Sequence, residues 1–229
     1  MELNADFSKR AAVHAATLPW VASPMAGVDR RMLDRIGDEI ARATSIVRYA
    51  PGSHFSPHTH GGGEEFLVLE GVFTDEHGDF PAGSYIRNPP TSRHTPGSEP
   101  GCVIFVKLWQ FDPKDRAQVR IDTGGLAFVS RAEHAGIAEL NLFQDAHETV
   151  RLERWAPDTT IARTPRGGAE LLVLRGMFEE SGERFAPRSW LRLPPAATLN
   201  ARSGPDGCEV WIKTGHLEHP VPPPVPVER

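Results

Sequence analysis

Hydrophobic positions along this chain come in runs of four to seven residues, alternating or continuous and rich in Val, Ile, Leu and Phe, and the runs are closed by Gly, Pro or Asp-rich turns. That period and length belong to strands rather than helices. Thr74-Asp-Glu-His-Gly-Asp79 reads as such a turn, with an apolar run on either side. The best helical spacing lies over Arg30 to Arg42, but its periodicity is weak, and the same residues read equally as a strand and its turn. The expected fold class is therefore all-β. Phe66, Val68, Tyr85, Ile104 and Trp109 are expected to line or pack a barrel core and would suit an apolar pocket.

The apolar pattern repeats. Tyr49-Ala-Pro-Gly is matched by Trp155-Ala-Pro-Asp at an offset of 106 residues. Glu65-Phe-Leu-Val-Leu-Glu-Gly-Val-Phe73 is matched by Glu170-Leu-Leu-Val-Leu-Arg-Gly-Met-Phe178 at 105, so one residue of the Gly61–Gly63 run is missing from the second copy. Ser84-Tyr-Ile-Arg-Asn-Pro-Pro90 pairs with Ser189-Trp-Leu-Arg-Leu-Pro-Pro195, and Gly101 to Lys107 with Gly207 to Lys213. Two copies of one domain follow, expected as residues 1–115 and 116–229, joined through the charged stretch after Asp112. The tail Pro220 to Val227 lacks a backbone donor at five of its eight positions and should run extended.

Composition narrows the partners. A net charge of −5 and a pI near 6.1 supply no basic field for nucleic-acid phosphates or an anionic membrane, so neither is expected. No apolar run approaches the ~20 residues that span a bilayer, and the first ten residues mix acids and bases, so a cytoplasmic location is expected. Cys102 and Cys208 form no CxxC pair and read as buried free thiols.

The chemistry sits in copy one. His58 and His60, at i and i+2 of a strand, point to one face, and Glu64 keeps that parity if the strand resumes after Gly61-Gly62-Gly63. His94, eleven residues after Gly83, lies in a Pro-rich loop that can fold back over them. Imidazole and carboxylate donors without thiolate suit a divalent metal such as zinc, iron, manganese or nickel. Glu65 is the other acid at this point. Its counterpart Glu170 persists in copy two without any of the histidines, so Glu65 reads as structural and Glu64 as the ligand. His54 shares strand parity with His58 and reads as a solvated turn residue or a group at the pocket mouth. The remaining histidines match no ligand spacing and are expected on the surface. In copy two His58 becomes Thr164, His60 becomes Arg166 and His94 becomes Leu199, with Ala169 or the gap against Glu64, so no metal site is expected there. Lys107 with Lys213, and Arg87 with Arg192, persist in both copies and are expected to serve folding, with an acid such as Glu65 or Glu170 as partner.

Gly52-x5-His58-x-His60-x3-Glu64-x6-Gly71 resembles the first cupin motif at every defined position, and Pro81-x-Gly83 followed by His94 is similar to the second, with its His further downstream than the general spacing. The run from His58 to Gly71 resembles most the cupin domain of ChrR-type anti-sigma factors, in which two His, a Glu and a later His hold zinc. The resemblance implies two tandem jelly-roll barrels, a bicupin, with His58, His60, Glu64 and His94 as ligands and zinc as the leading metal. ChrR-type proteins bind their sigma factor through an N-terminal helical domain with its own His and Cys ligands. No such Cys cluster precedes the first barrel here, so that mode of sequestration is not expected.

Two functions fit. One is a sensory or regulatory barrel whose metal responds to a small molecule or oxidant and changes a contact with a regulatory protein partner. The other is an iron- or manganese-dependent dioxygenase-type oxidoreductase acting on a small organic molecule. Exposed edge strands make a homodimer the expected assembly.

Overall fold

The computed structural model describes residues 1–130 and 134–224. Among them the regular structure is nearly all strand, with one 3-10 turn at Ala15–Thr17 and no α-helix. Among the described residues no helix is long and apolar enough to cross a membrane. The weak helical pattern over Arg30 to Arg42 resolves as strand Val28–Gly37, a turn, and the start of strand Ala41–Tyr49. Gly37 makes that turn at φ +116°, where a Cβ would stand 2.6 Å from the Ile40 carbonyl oxygen.

The chain divides into two compact units, each a jelly-roll barrel. The first contains Met1–Ala5, Pro19–Gly125 and the segment from Val221, and the second contains Asp6–Leu18 with Leu126–Pro220. In the first, the main sheet runs Glu2–Leu3, Val28–Gly37, Ala41–Tyr49, Cys102–Leu108, Glu64–Asp75, Ser84–Asn88, Val119–Asp122. The twelve-residue strand Glu64–Asp75 continues past this sheet to pair with Gly78–Pro81 and, at Thr74, with Gly97 of the Gly97–Ser98 strand. That bend closes the barrel. Phe66, Val68, Phe73, Ile86, Cys102, Ile104 and Val106 fill its core. In the second unit the order is Val129–Ser130, Ile137–Gln144, Thr149–Trp155, Leu199–Thr214, Ala169–Glu180, Ser189–Leu193, Ala11–His14.

The boundary differs from the expected 115/116 join. Val119–Asp122 pairs with Ser84–Asn88 and so belongs to the first barrel, whereas Ala11–His14 pairs with Ser189–Leu193 and belongs to the second. Each segment covers the same sheet edge of its barrel. Arg87 stacks on Phe111 at 4.2 Å and pairs with Asp115 at 2.6 Å. In the second barrel Arg192 stacks on Phe7 at 4.3 Å and donates to the Asp6 carbonyl at 3.1 Å. The repeated arginine thus clasps whichever segment covers the edge, which accounts for its persistence in a barrel without the histidines.

The repeated acid and lysine sit deep in both barrels. Lys107 faces Glu65 in register and donates to Thr44 Oγ1 at 3.0 Å, and Tyr85 donates to Glu65 at 2.6 Å. Lys213 faces Glu170 in register and pairs with Glu148 at 2.9 Å. His216 corrects one expectation: it is buried, 3.1 Å from Glu170, rather than on the surface. Both cysteines are buried and free, and burial raises the thiols to about 11 for Cys102 and about 12 for Cys208. Pro220 to Pro224 carry no regular structure, and the rest of the Pro-rich tail lies outside the described residues.

Candidate metal centre

His58–Thr59 and Arg93–His94 form a two-stranded ladder in which His94 lies directly opposite His58. His60 follows, its amide donating to the Ser92 carbonyl at 2.9 Å, so the loop Pro89–Ser92 holds the third imidazole beside the other two. The three ring centroids are 4.6 to 5.0 Å apart, and one nitrogen from each lies within 4.8 Å of the others. Glu64 opens strand Glu64–Asp75 with its side chain turned to this cluster, and its Oε2 is 3.6 Å from both His60 Nε2 and His94 Nε2. Glu65, of opposite parity, turns to Tyr85 instead. The four residues singled out from the sequence therefore meet at one place.

Three glycines let the chain do this. A Cβ on Gly62 would stand 2.3 Å from the Trp109 ring and one on Gly61 2.9 Å, while Gly63, at φ +78°, lies beneath Phe111. Trp109 itself adopts φ +58°, a left-handed conformation held by the hydrogen bond that its amide N–H donates to the Gly63 carbonyl at 3.1 Å. The Gly61–Gly63 run is thus a seat for Trp109 and Phe111, and it sets Glu64 at the head of its strand.

The donor set fits a divalent cation. Nitrogen and oxygen ligands about 2.1 Å from one ion lie about 3.0–3.4 Å apart, so the 3.6 Å separations from Glu64 need a small contraction and the imidazole nitrogens, within 4.8 Å of one another, a larger one. His60 Nε2 is buried without a hydrogen-bond partner among the described residues, the atom an ion would satisfy. Burial lowers the His60 pKa, and His94 and His58 add to this against the pull of Glu64, so the neutral, ligating form is favoured. His94 behaves oppositely. Burial opposes its charge, but the Asp75 hydrogen bond and the fields of Glu64 and Asp75 outweigh that and raise it.

Asp75 escaped the sequence reading. It lies in the segment taken as a turn, yet the strand runs through it and brings Oδ2 to 3.3 Å from His94 Nδ1, while Oδ1 accepts from the His77 amide at 2.7 Å. A carboxylate on Nδ1 leaves Nε2 with its lone pair facing the cluster. Asn88, opposite Glu64, donates to the same Glu64 oxygen at 3.2 Å. His54 is exposed and near Glu99 at 3.5 Å, a surface group.

A cavity of about 680 Å³ adjoins the cluster, walled by His58, His60 and Glu64 on one side and by Val47, Ile104 and Trp109 on others. Tyr49 also lines it, and burial and Glu64 raise its pKa, keeping the phenol protonated.

Among the described residues the second barrel has no such donor cluster. Ala169, Leu193 and Leu199 stand where Glu64, Asn88 and His94 stand in the first, and all three belong to its apolar core. Arg166, in place of His60, is exposed and pairs with Glu218.

Strand order and the histidine–carboxylate cluster define a double cupin with one candidate metal centre. Residues 8–112 match the ChrR Cupin-like domain model, so the chain has the cupin fold and over that stretch resembles the ChrR cupin domain. No curated protein matches its sequence. Among solved structures it is similar to a candidate dioxygenase from Nostoc punctiforme, with TM-score 0.74 and 14% identity over 97% of this chain and 88% of that one. It is also similar to the bacterial pirin of Escherichia coli in complex with nickel(II), with TM-score 0.63 and 14% identity over 90% and 98%. A third is Lactobacillus farciminis oxalate decarboxylase in a formate complex, with TM-score 0.62 and 10% identity over 90% and 86%.

Proposed function

We propose that the first barrel binds a divalent transition metal through His58, His60, Glu64 and His94 and admits a small organic molecule to it, as a dioxygenase-type oxidoreductase. The observation carrying this reading is the cavity of about 680 Å³ that adjoins the donor cluster, within the ~300–1,000 Å³ range of small-molecule sites. A zinc ion held as a closed structural tetrahedron has no use for such a space. A bound metal of this class supplies Lewis acidity or an electron conduit. The chain's own part is to hold the donors rigid, exclude water with Val47, Ile104 and Trp109, and offer the neutral Tyr49 phenol as a hydrogen-bond donor beside the cluster.

A second reading, a sensory or regulatory metal barrel, is favoured by the match to the ChrR Cupin-like domain. The two part on metal and reactivity. Protein purified without added metal is analysed for metal content, and oxygen uptake is followed with β-diketone, catechol-type and 2-oxo acid compounds. Iron or manganese with substrate-dependent oxygen uptake is expected. Zinc with four protein ligands, no exchangeable water and no uptake would favour the sensor.

A further inference from the structure

Strand Val28–Gly37 carries Asp29, Arg30, Arg31, Asp34 and Arg35. In simple alternation Arg30 and Arg35 have opposite parity and would face opposite sides of the sheet. A bulge between Met32 and Asp34 changes this: Arg30 sits opposite Val47 and Arg35 opposite Ala43, two residues that line the cavity, and both arginines line it with them. The acids of this strand go elsewhere, while Glu39 in the turn that follows lines the cavity with the arginines. Asp29 pairs with Arg48, and Asp34 lies opposite Thr44, on the other parity. Arg35 is 6% exposed, with one bond from Nη2 to the Asp38 carbonyl, and the buried Nε of Arg30 has no hydrogen-bond partner among the described residues. Burial, and then the field of Arg30, disfavours the charge on Arg35, against the weaker pull of Glu39 and Asp38.

The second barrel is the control. Its strand Ile137–Gln144 bulges at the same place, between Asn141 and Phe143. Glu139, opposite Glu153, takes the position of Arg30, and Gln144, opposite Thr149, that of Arg35. Glu139 is satisfied internally by Arg151 at 3.0 Å and His134 at 3.1 Å. The arginine pair is thus lost together with the histidines and Glu64, whereas Arg87 and Lys107, which have structural partners, recur in both barrels. Two cations serving only the fold would have no reason to follow the donor cluster.

We propose that Arg30 and Arg35 form a carboxylate-binding end of the first-barrel cavity, so that the small molecule admitted there is an organic acid with an apolar body. Guanidinium forks match a carboxylate in geometry and charge. Val47, Ile104, Leu108 and Trp109 supply the apolar wall for the remainder. The metal end of this ligand rests on the proposed function; the carboxylate end rests on the arginines alone.

The test uses the full chain and phenylpyruvate, octanoate and benzoate as probes, with phenylpyruvate methyl ester as the neutral control, in calorimetric titrations alongside metal analysis. At least one acid is expected to bind saturably, and the ester of phenylpyruvate at least tenfold more weakly than its acid. Arg30→Gln and Arg35→Met should each weaken the bound acid at least tenfold with metal content unchanged. Arg35→Lys, which keeps the charge and the stem but not the fork, covers the case in which Arg35→Met does not fold, and should cost at least fivefold. No binding of any acid, equal binding of acid and ester, or arginine variants within twofold of wild type would overturn the proposal. Wild-type protein that holds no metal yet binds the acids through both arginines would instead remove the metal reading and leave the carboxylate site standing.

Discussion

Replacing Asp75 by Asn tests the metal centre through a residue that would not touch the metal. In the wild type, Oδ1 accepts from the His77 amide at 2.7 Å and Oδ2 faces His94 Nδ1 at 3.3 Å. An asparagine must keep its oxygen on the His77 N–H, which places its NH2 against Nδ1. His94 then has to accept at Nδ1 and carry its proton on Nε2, the nitrogen 3.6 Å from Glu64 Oε2 that is needed as a ligand. The alternative flip sets two donors against each other at His77. Loss of such a partner of a ligating histidine costs about 10–100-fold in metal affinity, or about 1.4–2.8 kcal/mol. The assay is competition against a chromogenic chelator for zinc, manganese and iron(II), with thermal unfolding in excess chelator as the control for the metal-free fold. An affinity within twofold of wild type, in a variant that folds, would refute the role given to Asp75 and with it the assignment of Nε2 as the ligating atom of His94.

Other outcomes follow from the same geometry. Glu64→Gln should lose the metal while Glu65→Gln retains it and unfolds earlier, because only Glu64 faces the imidazoles and Glu65 is the buried acceptor for Tyr85; equal metal loss in both would break the parity assignment. Gly62→Ala should destabilise the first barrel by about 1–3 kcal/mol through the 2.3 Å clash with Trp109, read by chemical denaturation, and unchanged stability would refute the seat described for that ring. Arg10→Ala leaves the buried Glu180 carboxylate, now 2.8 Å from Arg10, without its cation; a loss of about 1–3 kcal/mol is expected in the unfolding of the second barrel, reported by Trp155, Trp190 and Trp211. In metal-free protein His94 is raised and Asp75 lowered, so their pairing stabilises the barrel above the carboxylate range and below the raised His94 value. Stability from this pair should fall as pH rises through that value and as pH falls through the depressed Asp75 value, and Asp75→Asn should flatten both slopes in melts recorded with chelator.

Strand periodicity and the internal repeat were enough for two all-β barrels, because alternation and turn chemistry are local properties that tertiary packing reinforced. The candidate donor cluster was legible because His58, His60 and Glu64 lie within seven consecutive positions, and Glu170 in the second copy separated Glu65 from Glu64. Features that depend on distant pairing were not legible. Val119–Asp122 and Ala11–His14 cover sheet edges outside the repeat, and nothing local says which barrel such a strand will join. The bulge between Met32 and Asp34 reverses parity along its strand and puts Arg30 and Arg35 on one wall, a result that counting by twos cannot give. Asp75 reaches His94 only because a twelve-residue strand bends from one sheet into the other. The sequence by itself determined the candidate donors and the kind of barrel. Tertiary structure decided which carboxylate orients a donor and which charges face the cavity, because both depend on register, and register is set by pairing between strands far apart in the chain.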